Sequence, residues 1–97
     1  MKIWEEPVEF DWDEGNIGKN FKHDVDDKEA EEAFTNKPIL VSKDKKHSEK
    51  EKRLKALGQT DRGRFLFISF TIRSGRVRII SARDMDRREE SIYNRSL

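Results

Sequence analysis

The sequence contains no cysteine, which excludes disulfide bonds, thiolate metal ligands and a cysteine nucleophile. Its apolar runs are short, and none approaches the roughly 18 residues that a membrane-spanning helix needs. The opening stretch MKIWEEPVEF also lacks the apolar segment of a signal peptide. We therefore expect a soluble protein of the reducing cytoplasm.

Hydrophobic residues are scarce as well, at 33% of the 97 residues, whereas 42% are charged. Compact domains cluster at roughly 100 to 150 residues, so a chain of this length has material for one modest core. We expect residues 1–97 to form a single domain. Because so small a core leaves little room for an enclosed pocket, we predict no bound cofactor.

The net charge of +1 conceals a strong asymmetry along the chain. Residues 1–36 carry four lysines against twelve acidic residues, whereas residues 37–57 and 58–97 have net charges of +5 and +4. Every lysine lies between positions 2 and 55 and every arginine between 53 and 95. Drift in composition could produce this segregation. Alternatively, arginine is selected because its planar fork grips phosphate or carboxylate with two hydrogen bonds.

Two helices are predicted in the N-terminal half. Residues 11–23 begin with an aspartate suited to an N-cap and place Ile17 and Phe21 on one helical stripe, although two glycines weaken this helix. A second helix follows the capping box formed by Asp26 and Glu29. Its buried stripe should consist of Ala30, Ala33 and Phe34.

Strands and one more helix follow. Residues 38–42 (PILVS) read as a strand, 43–52 as a solvated loop, and 53–58 (RLKALG) as a strand, with a helix end as the alternative. Asp86 and Glu89 form another capping box, which predicts a short terminal helix docked by Met85, Ile92 and Tyr93. The fold class is therefore α+β, with two N-terminal helices, an antiparallel sheet of about four strands and a C-terminal helix.

The stretch RFLFISFTIRSGRVRIISAR predicts a β-hairpin turning at Ser74-Gly75. A two-residue turn sets Arg73 opposite Arg76, and counting back along the two strands sets Ser69 opposite Ile80 and Leu66 opposite Arg83. One face of the hairpin is then an apolar patch: Leu66, Ile68, Phe70, Ile72, Val77 and Ile79. In this register Arg64 and Arg83 lie at the rim of the core-facing rows.

The opposite face of the hairpin is cationic and carries one conspicuous hydroxyl. It consists of Thr71, Arg73, Arg76 and Arg78, with Ser69, Phe65 and Phe67 further along. A solvated polar face is the ordinary alternative for an antiparallel sheet. However, like charges opposite each other are unfavourable, and no acidic residue lies between positions 62 and 83. This favours an anion site, with aromatic rings available to stack on nucleic-acid bases.

The remaining titratable residues indicate no metal site. His23 and His47 fit no metal-ligand spacing, and the acidic residues form no calcium-binding loop. Each histidine alone is best explained as a surface or capping residue, although histidine is the usual proton carrier near neutral pH. By spacing alone, Glu51 belongs to a solvated charge run.

Several segments together resemble the BrnT family of type II toxins, whose fold is similar to that of the RelE ribonucleases. They are FDWD, KNFKHDV, EAEEAF, HSEKEKRLKALGQT, GRFLFISFTIR and RVRIISARDMDRRE, of which VRIISAR before the RRE helix start is the most specific. The resemblance implies an endoribonuclease that arrests translation and is held inactive by a BrnA antitoxin with a ribbon-helix-helix DNA-binding domain.

The resemblance also implies a set of functional residues: Arg64, Thr71, Arg73, Arg78, Arg83, His23, Glu51 and Arg53. In the resulting hypothesis, Arg78 and Arg83 hold the phosphate, Arg64 assists, and Glu51 or His23 acts as base or acid without a metal ion. Thr71, Arg73, Arg76 and Arg53 would bind the RNA. Operator DNA would be bound only through the antitoxin complex, and no membrane partner is expected.

Two other functions remain open from the sequence. A non-catalytic nucleic-acid-binding module would use the same arginines for affinity alone, and its binding would weaken steeply with salt. An interaction module, or degenerate toxin, would use the acidic first third to dock a basic segment of another chain. Association of two copies into a homodimer is a further alternative.

Overall fold

The computed structural model describes residues 1–19, 21–47 and 52–97, which form an α+β structure with five strands and two helices. The strands are β1 (Lys2–Ile3), β2 (Leu40–Lys43), β3 (Leu54–Gln59), β4 (Phe65–Arg73) and β5 (Arg76–Asp84). The helices are α1 (Asp27–Thr35) and α2 (Arg87–Asn94), and 3-10 turns occur at Phe21–His23 and Lys45–His47. Within the described ranges, neither helix has the length and hydropathy of a bilayer span.

The strands form one antiparallel sheet in the order β1-β2-β3-β4-β5, which confirms the predicted sheet and adds a short strand at the N-terminus. The predicted strand at 53–58 is confirmed as β3 and the one at 38–42 as β2, each with slightly shifted ends. Residues 9–11 lie along the outer edge of β5, where Asp11 donates its N–H to Val77 and Val77 donates to Glu9, both at 2.8 Å.

Both predicted capping boxes are present. In each helix the N-cap aspartate accepts from the N3 backbone while the N3 glutamate accepts from the N-cap backbone, which satisfies two otherwise unpaired donors. The predicted stripe of α1 is buried, with Ala30, Ala33 and Phe34 at most 1% exposed. These residues cover one face of the sheet, which we call the core face.

The predicted helix over residues 11–23 is wrong. The chain forms successive turns ending in the 3-10 turn at Phe21–His23. Side chains form hydrogen bonds with the backbone here: Asp13 accepts from Gly15 N–H, and Asn16 donates to the carbonyls of Asp11 and Ile79. Because short polar side chains compete with helical hydrogen bonds, and Gly18 has φ of +67°, the helix does not form.

The hairpin register is confirmed near the turn and wrong beyond it. Arg73 pairs with Arg76 and Phe70 with Ile79 as predicted, but a β-bulge follows, so that Ser69 pairs with Ser81. Ile80 is the extra residue, and it moves every later residue of β5 by one position. Leu66 therefore pairs with Asp84 and Phe67 with Arg83, which transfers Arg83 from the predicted core-facing rim to the opposite face.

Burial confirms the core face of the hairpin except at its tip. Five of the six predicted positions are at most 2% exposed, whereas Ile72 is 39% exposed. The opposite face, which we call the outer face, is partly covered by α2. There Tyr93 and Met85 pack with Leu40 and Leu57, and Phe65 meets Tyr93 edge to face. The predicted docking of α2 is thus confirmed.

The hydroxyl of Tyr93 anchors α2 to the sheet. It donates to the Pro38 carbonyl at 2.5 Å from a side chain that is fully buried, and burial raises the pKa of Tyr93. We expect Tyr93→Phe to lower the free energy of unfolding by about 1 to 2 kcal/mol, because the carbonyl loses its partner. Urea denaturation measures this, with Ser91→Ala on the exposed face of α2 as the control. Equal midpoints for Tyr93→Phe and wild type would contradict it.

Candidate nucleic-acid interface

Four arginines share the outer face of the β4–β5 hairpin, and we call them the arginine row: Arg73, Arg76, Arg78 and Arg83. The tight turn places the first two opposite each other, and the alternation of β5 adds Arg78. The bulge at Ile80 adds Arg83, which regular pairing would have turned to the core face. The membership of Arg83 in the row therefore depends on this bulge.

Arg83 is held from two sides. Its guanidinium forms a paired set of hydrogen bonds with Glu89 of α2, at 2.8 and 3.0 Å, and lies 4.2 Å from the centroid of the Phe67 ring. The bond to Glu89 raises the pKa of Arg83. Because Glu89 also belongs to the capping box of α2, the start of that helix fixes the orientation of Arg83.

Arg78 faces two carboxylates of the N-terminal segment. Its Nη2 donates to Asp13 at 2.8 Å, and its Nη1 lies 3.7 Å from Asp11 without forming a hydrogen bond. The side chain of Arg78 is only 12% exposed. The hydrogen bond with Arg78 lowers the pKa of Asp13. A Cβ on Gly15 would lie 2.7 Å from Nη2, so a larger residue at this position would displace the end of the Arg78 side chain.

Arg64 does not join the row. It precedes β4 and donates to Asp84 at 2.7 Å, to Glu29 of α1 at 3.3 Å, and to the carbonyls of His23 and Asp24. The bond to Asp84 foremost, and then the bond to Glu29, raise the pKa of Arg64. Arg64 thus ties together α1, the end of β5 and the 3-10 turn that contains His23.

The ion pair of Arg64 with Asp84 has a defined pH dependence. The hydrogen bond from Arg64 lowers the pKa of Asp84 below its ordinary value of 3.8. A lowered carboxyl pKa stabilises the fold above the ordinary value, and this contribution is lost as the pH falls through the lowered one. Near neutral pH the bracing of the His23 turn by Arg64 is therefore insensitive to pH.

Thr71 and Arg53 lie at the far end of the sheet from Arg64. Thr71 is buried, and its hydroxyl donates to the Lys52 carbonyl at 2.8 Å, so it holds the entry to β3 in place. Arg53 is half-buried just before that strand. Both line a cleft of about 420 Å³ whose other residues are Lys43, Lys45, Lys52, Leu54 and Ile72.

The remaining predicted site residues are either exposed or outside the described residues. Arg73 is exposed, as is Arg76, which lies 3.5 Å from Glu9. His23 is exposed at the end of its turn. Glu51 lies outside the described residues, and so does the side chain of His47. Within the described ranges, no three His, Asp or Glu side chains converge as metal ligands would.

The aromatic prediction for this face needs correction. Phe65 and Phe67 are half-buried beside α2, and the Arg83 guanidinium covers the ring of Phe67, so neither ring offers a free face of the kind expected for stacking. Carboxylates that were not predicted as partners also reach the row. The Asp11 and Asp13 pair in FDWD and the Glu89 of the second capping box were visible as motifs, but their partners were not.

Comparison with known families gives one match. A family model described as "Ribonuclease toxin, BrnT, of type II toxin-antitoxin system" matches residues 12–89. This range begins just before Asp13 and ends at Glu89, and so spans the whole arginine row together with these two of its carboxylate partners. No curated protein matches the sequence significantly.

Proposed function

This chain belongs to the BrnT family of ribonuclease toxins of type II toxin–antitoxin systems, and we propose that it is an endoribonuclease that cleaves RNA without a metal ion and thereby inhibits translation. The single observation that carries the proposal is the arginine row on one sheet face within the matched range. Arginines fixed by neighbouring groups suit the binding of phosphate, because their donors need no reorganisation when charge develops on phosphorus.

In the proposed reaction the ribose 2′-OH attacks the adjacent phosphorus, the 5′-oxygen leaves, and a cyclic phosphate remains. Arg78 and Arg83 bind phosphate oxygens, and Arg83 stabilises the extra negative charge of the transition state. His23 is the exposed group available for proton transfer, and Glu51 is the alternative base. Arg64 acts on this site by holding the backbone of the His23 turn.

The spacing of the two arginines suggests how RNA lies on the row. Because of the bulge, Arg78 and Arg83 pair with Thr71 and Phe67, which are four residues apart on β4, and at about 3.3 Å per residue this separates their Cα atoms by about 13 Å. Their side chains also point to carboxylates from opposite ends of the sheet, Asp13 and Glu89. We therefore propose that they bind different phosphates of one strand, with cleavage beside Arg83.

The carboxylates around the row compete with phosphate for the same donors. Asp13 occupies Nη2 of Arg78, and RNA must replace it or share the guanidinium with it. We expect Asp13→Asn to tighten binding of single-stranded RNA by about two- to fivefold at low salt, because an uncharged amide competes less well than a carboxylate. Fluorescence anisotropy with labelled RNA measures the change.

The neighbouring Glu14 offers a matched control. It is exposed, and Glu14→Gln changes the net charge by the same amount. If both substitutions tighten binding equally, the effect comes from net charge alone and the competition at Arg78 is refuted.

A second candidate function is a degenerate toxin that binds nucleic acid or a partner without cleaving. The observation in its favour is that Arg64, Arg78 and Arg83 all form ion pairs within the chain. Such pairs are also what a purely structural role would produce. Cleavage and binding measured on one preparation separate the two functions.

The decisive experiment incubates the purified protein with single-stranded RNA in EDTA, beside a folded Arg78→Ala/Arg83→Ala double variant. Cleavage by the wild type alone would support a metal-independent ribonuclease with its phosphate site on β5. Intact RNA that is retained in a salt-sensitive manner would favour the binding module. Cleavage that requires an added divalent cation would refute the metal-free mechanism.

Membership of a type II family implies an antitoxin partner as well as an RNA substrate. We propose that the antitoxin is BrnA-like, that operator DNA is reached only through the complex, and that the fold is RelE-like. The strongly acidic residues 1–36 would dock a basic segment of that partner. Copurification with the product of a neighbouring gene, and the mass of the complex, would test this docking and the alternative of a homodimer.

A further inference from the structure

Phe21 is the most exposed of the large hydrophobic residues in the described part of the chain. The sequence pattern placed it on one helical stripe with Ile17, but no helix forms and the two side chains are 68% and 56% exposed. A single exposed hydrophobic residue needs no explanation by itself. The surroundings of this ring are what distinguish it.

The ring of Phe21 is supported on one side only. A Cβ on Gly18 would lie 3.5 Å from its Cδ2 and Cε2 atoms, so the ring rests against a residue without a side chain. Gly18 has φ of +67°, a conformation that disfavours any replacement. One side of the ring is therefore set against the backbone while most of the side chain stays in solvent.

The residues before the ring are attached to the rest of the fold at two points. Gly18 donates its N–H to both carboxylate oxygens of Asp27, at 3.0 and 3.2 Å, which ties the loop to the start of α1. On the other side, Asn16 is bonded to β5 through the Ile79 carbonyl. The turn itself is closed by the bond from Asp24 N–H to the Phe21 carbonyl. These bonds hold the backbone on both sides of Phe21, which reduces the entropy that the backbone loses when a ligand binds.

The position of the ring relates it to the RNA site. The Phe21–His23 turn contacts β5, the strand that carries Arg78 and Arg83. Arg64 bonds to the carbonyl of His23, two residues from the ring. Lys19, two positions before the ring in the sequence, is exposed as well.

We infer that Phe21 is a stacking platform for an unpaired base of the RNA substrate. An exposed aromatic ring on a turn that contacts an arginine-bearing strand is the combination that single-strand binding proteins use, because every base has a π-face and every nucleotide a phosphate. The inference rests on the proposed ribonuclease function and extends it, since it provides the aromatic contact that Phe65 and Phe67 do not. A base stacked here leaves its neighbouring phosphates beside β5.

The test uses the full-length protein and a 5′-labelled 2′-O-methyl RNA of about 12 nucleotides, which lacks the attacking hydroxyl and stays intact. We expect Phe21→Ala to weaken binding by about 5- to 100-fold and Phe21→Tyr to retain it. Ile17→Ala, which removes an exposed aliphatic side chain from the same loop, is the matched control and should leave affinity unchanged.

Two further measurements distinguish stacking from a change in charge or fold. The slope of log affinity against log salt should be the same for Phe21→Ala and wild type, whereas Arg78→Ala should reduce it by about one phosphate contact. With an oligonucleotide of abasic units, wild type and Phe21→Ala should bind equally. A substitution that merely disturbs the loop would weaken binding to both oligonucleotides.

The outcomes separate the inference from the function on which it rests. Equal binding of the 2′-O-methyl RNA by wild type and Phe21→Ala would overturn the stacking platform and leave the ribonuclease proposal standing. An equal loss with the abasic oligonucleotide would also overturn it. Failure of the wild type to bind or cleave any RNA would overturn both.

Discussion

Arg83→Ala is expected to reduce RNA cleavage by about 10²- to 10³-fold, the usual effect of removing one donor to developing negative charge. The protein should remain folded, because the Arg83 side chain is 40% exposed and its pair with Glu89 is of the kind that contributes at most about 1 kcal/mol. Cleavage rates under single-turnover conditions in EDTA, with circular dichroism of each variant, measure the two effects separately.

Glu89→Gln separates the catalytic from the structural role of Arg83. This substitution replaces the ion pair by a hydrogen bond to an uncharged amide but leaves the guanidinium in place, stacked on Phe67. Cleavage should therefore stay within about threefold of wild type, while thermal stability falls as it does in Arg83→Ala. If Glu89→Gln loses as much activity as Arg83→Ala, Arg83 is a positioning residue for α2 and the proposed contact with phosphate is wrong.

Gly58→Ala is expected to destabilise the fold by about 3 kcal/mol, because α1 lies directly on β3 at this position. A Cβ on Gly58 would be 2.4 Å from the Ala33 carbonyl oxygen and 3.1 Å from its carbon. Both are backbone atoms of a packed helix, so the clash cannot be relieved by rotating a side chain. Thermal unfolding should show a midpoint lowered by roughly 10 to 20 °C.

Gly75→Asn provides the comparison for this clash. A Cβ on Gly75 meets nothing within 4 Å, and asparagine tolerates the positive φ of 76° at this turn better than other residues. Its midpoint should lie within about 5 °C of wild type. A similar loss in both variants would indicate a general cost of replacing glycine and would refute close packing at Gly58.

The ion pairs of Arg64 and Arg78 cannot be predicted from the charges along the sequence. No acidic residue lies between positions 62 and 83, so the hairpin arginines look unpaired in the sequence. In the structure Arg78 meets Asp13, 65 positions away, and Arg64 meets Glu29 of α1, 35 positions away. Acidic residues of the first third therefore neutralise part of the basic charge of the same chain. This role is additional to the proposed docking of a partner.

Local sequence patterns alone predict both helices, the hairpin turn and the core face of β4. The capping boxes at Asp26 and Asp86 place both helices, and Ser74-Gly75 sets the hairpin, because these signals depend on hydrogen bonds and backbone angles within a few residues. The alternation in β4 likewise identifies the core face. The arginines of the outer face follow from the same alternation as far as Arg78.

Only the tertiary structure decided which groups meet. The bulge at Ile80, invisible in the pattern of β5, decides the face on which Arg83 lies. The turns after Asp13 expose Phe21, because side-chain bonds and the strand edge outcompete a marginal helix. The periodicity of a sequence predicts only local structure. An ion pair or an exposed ring depends on segments that are far apart in sequence, and burial of the shared core brings these segments together.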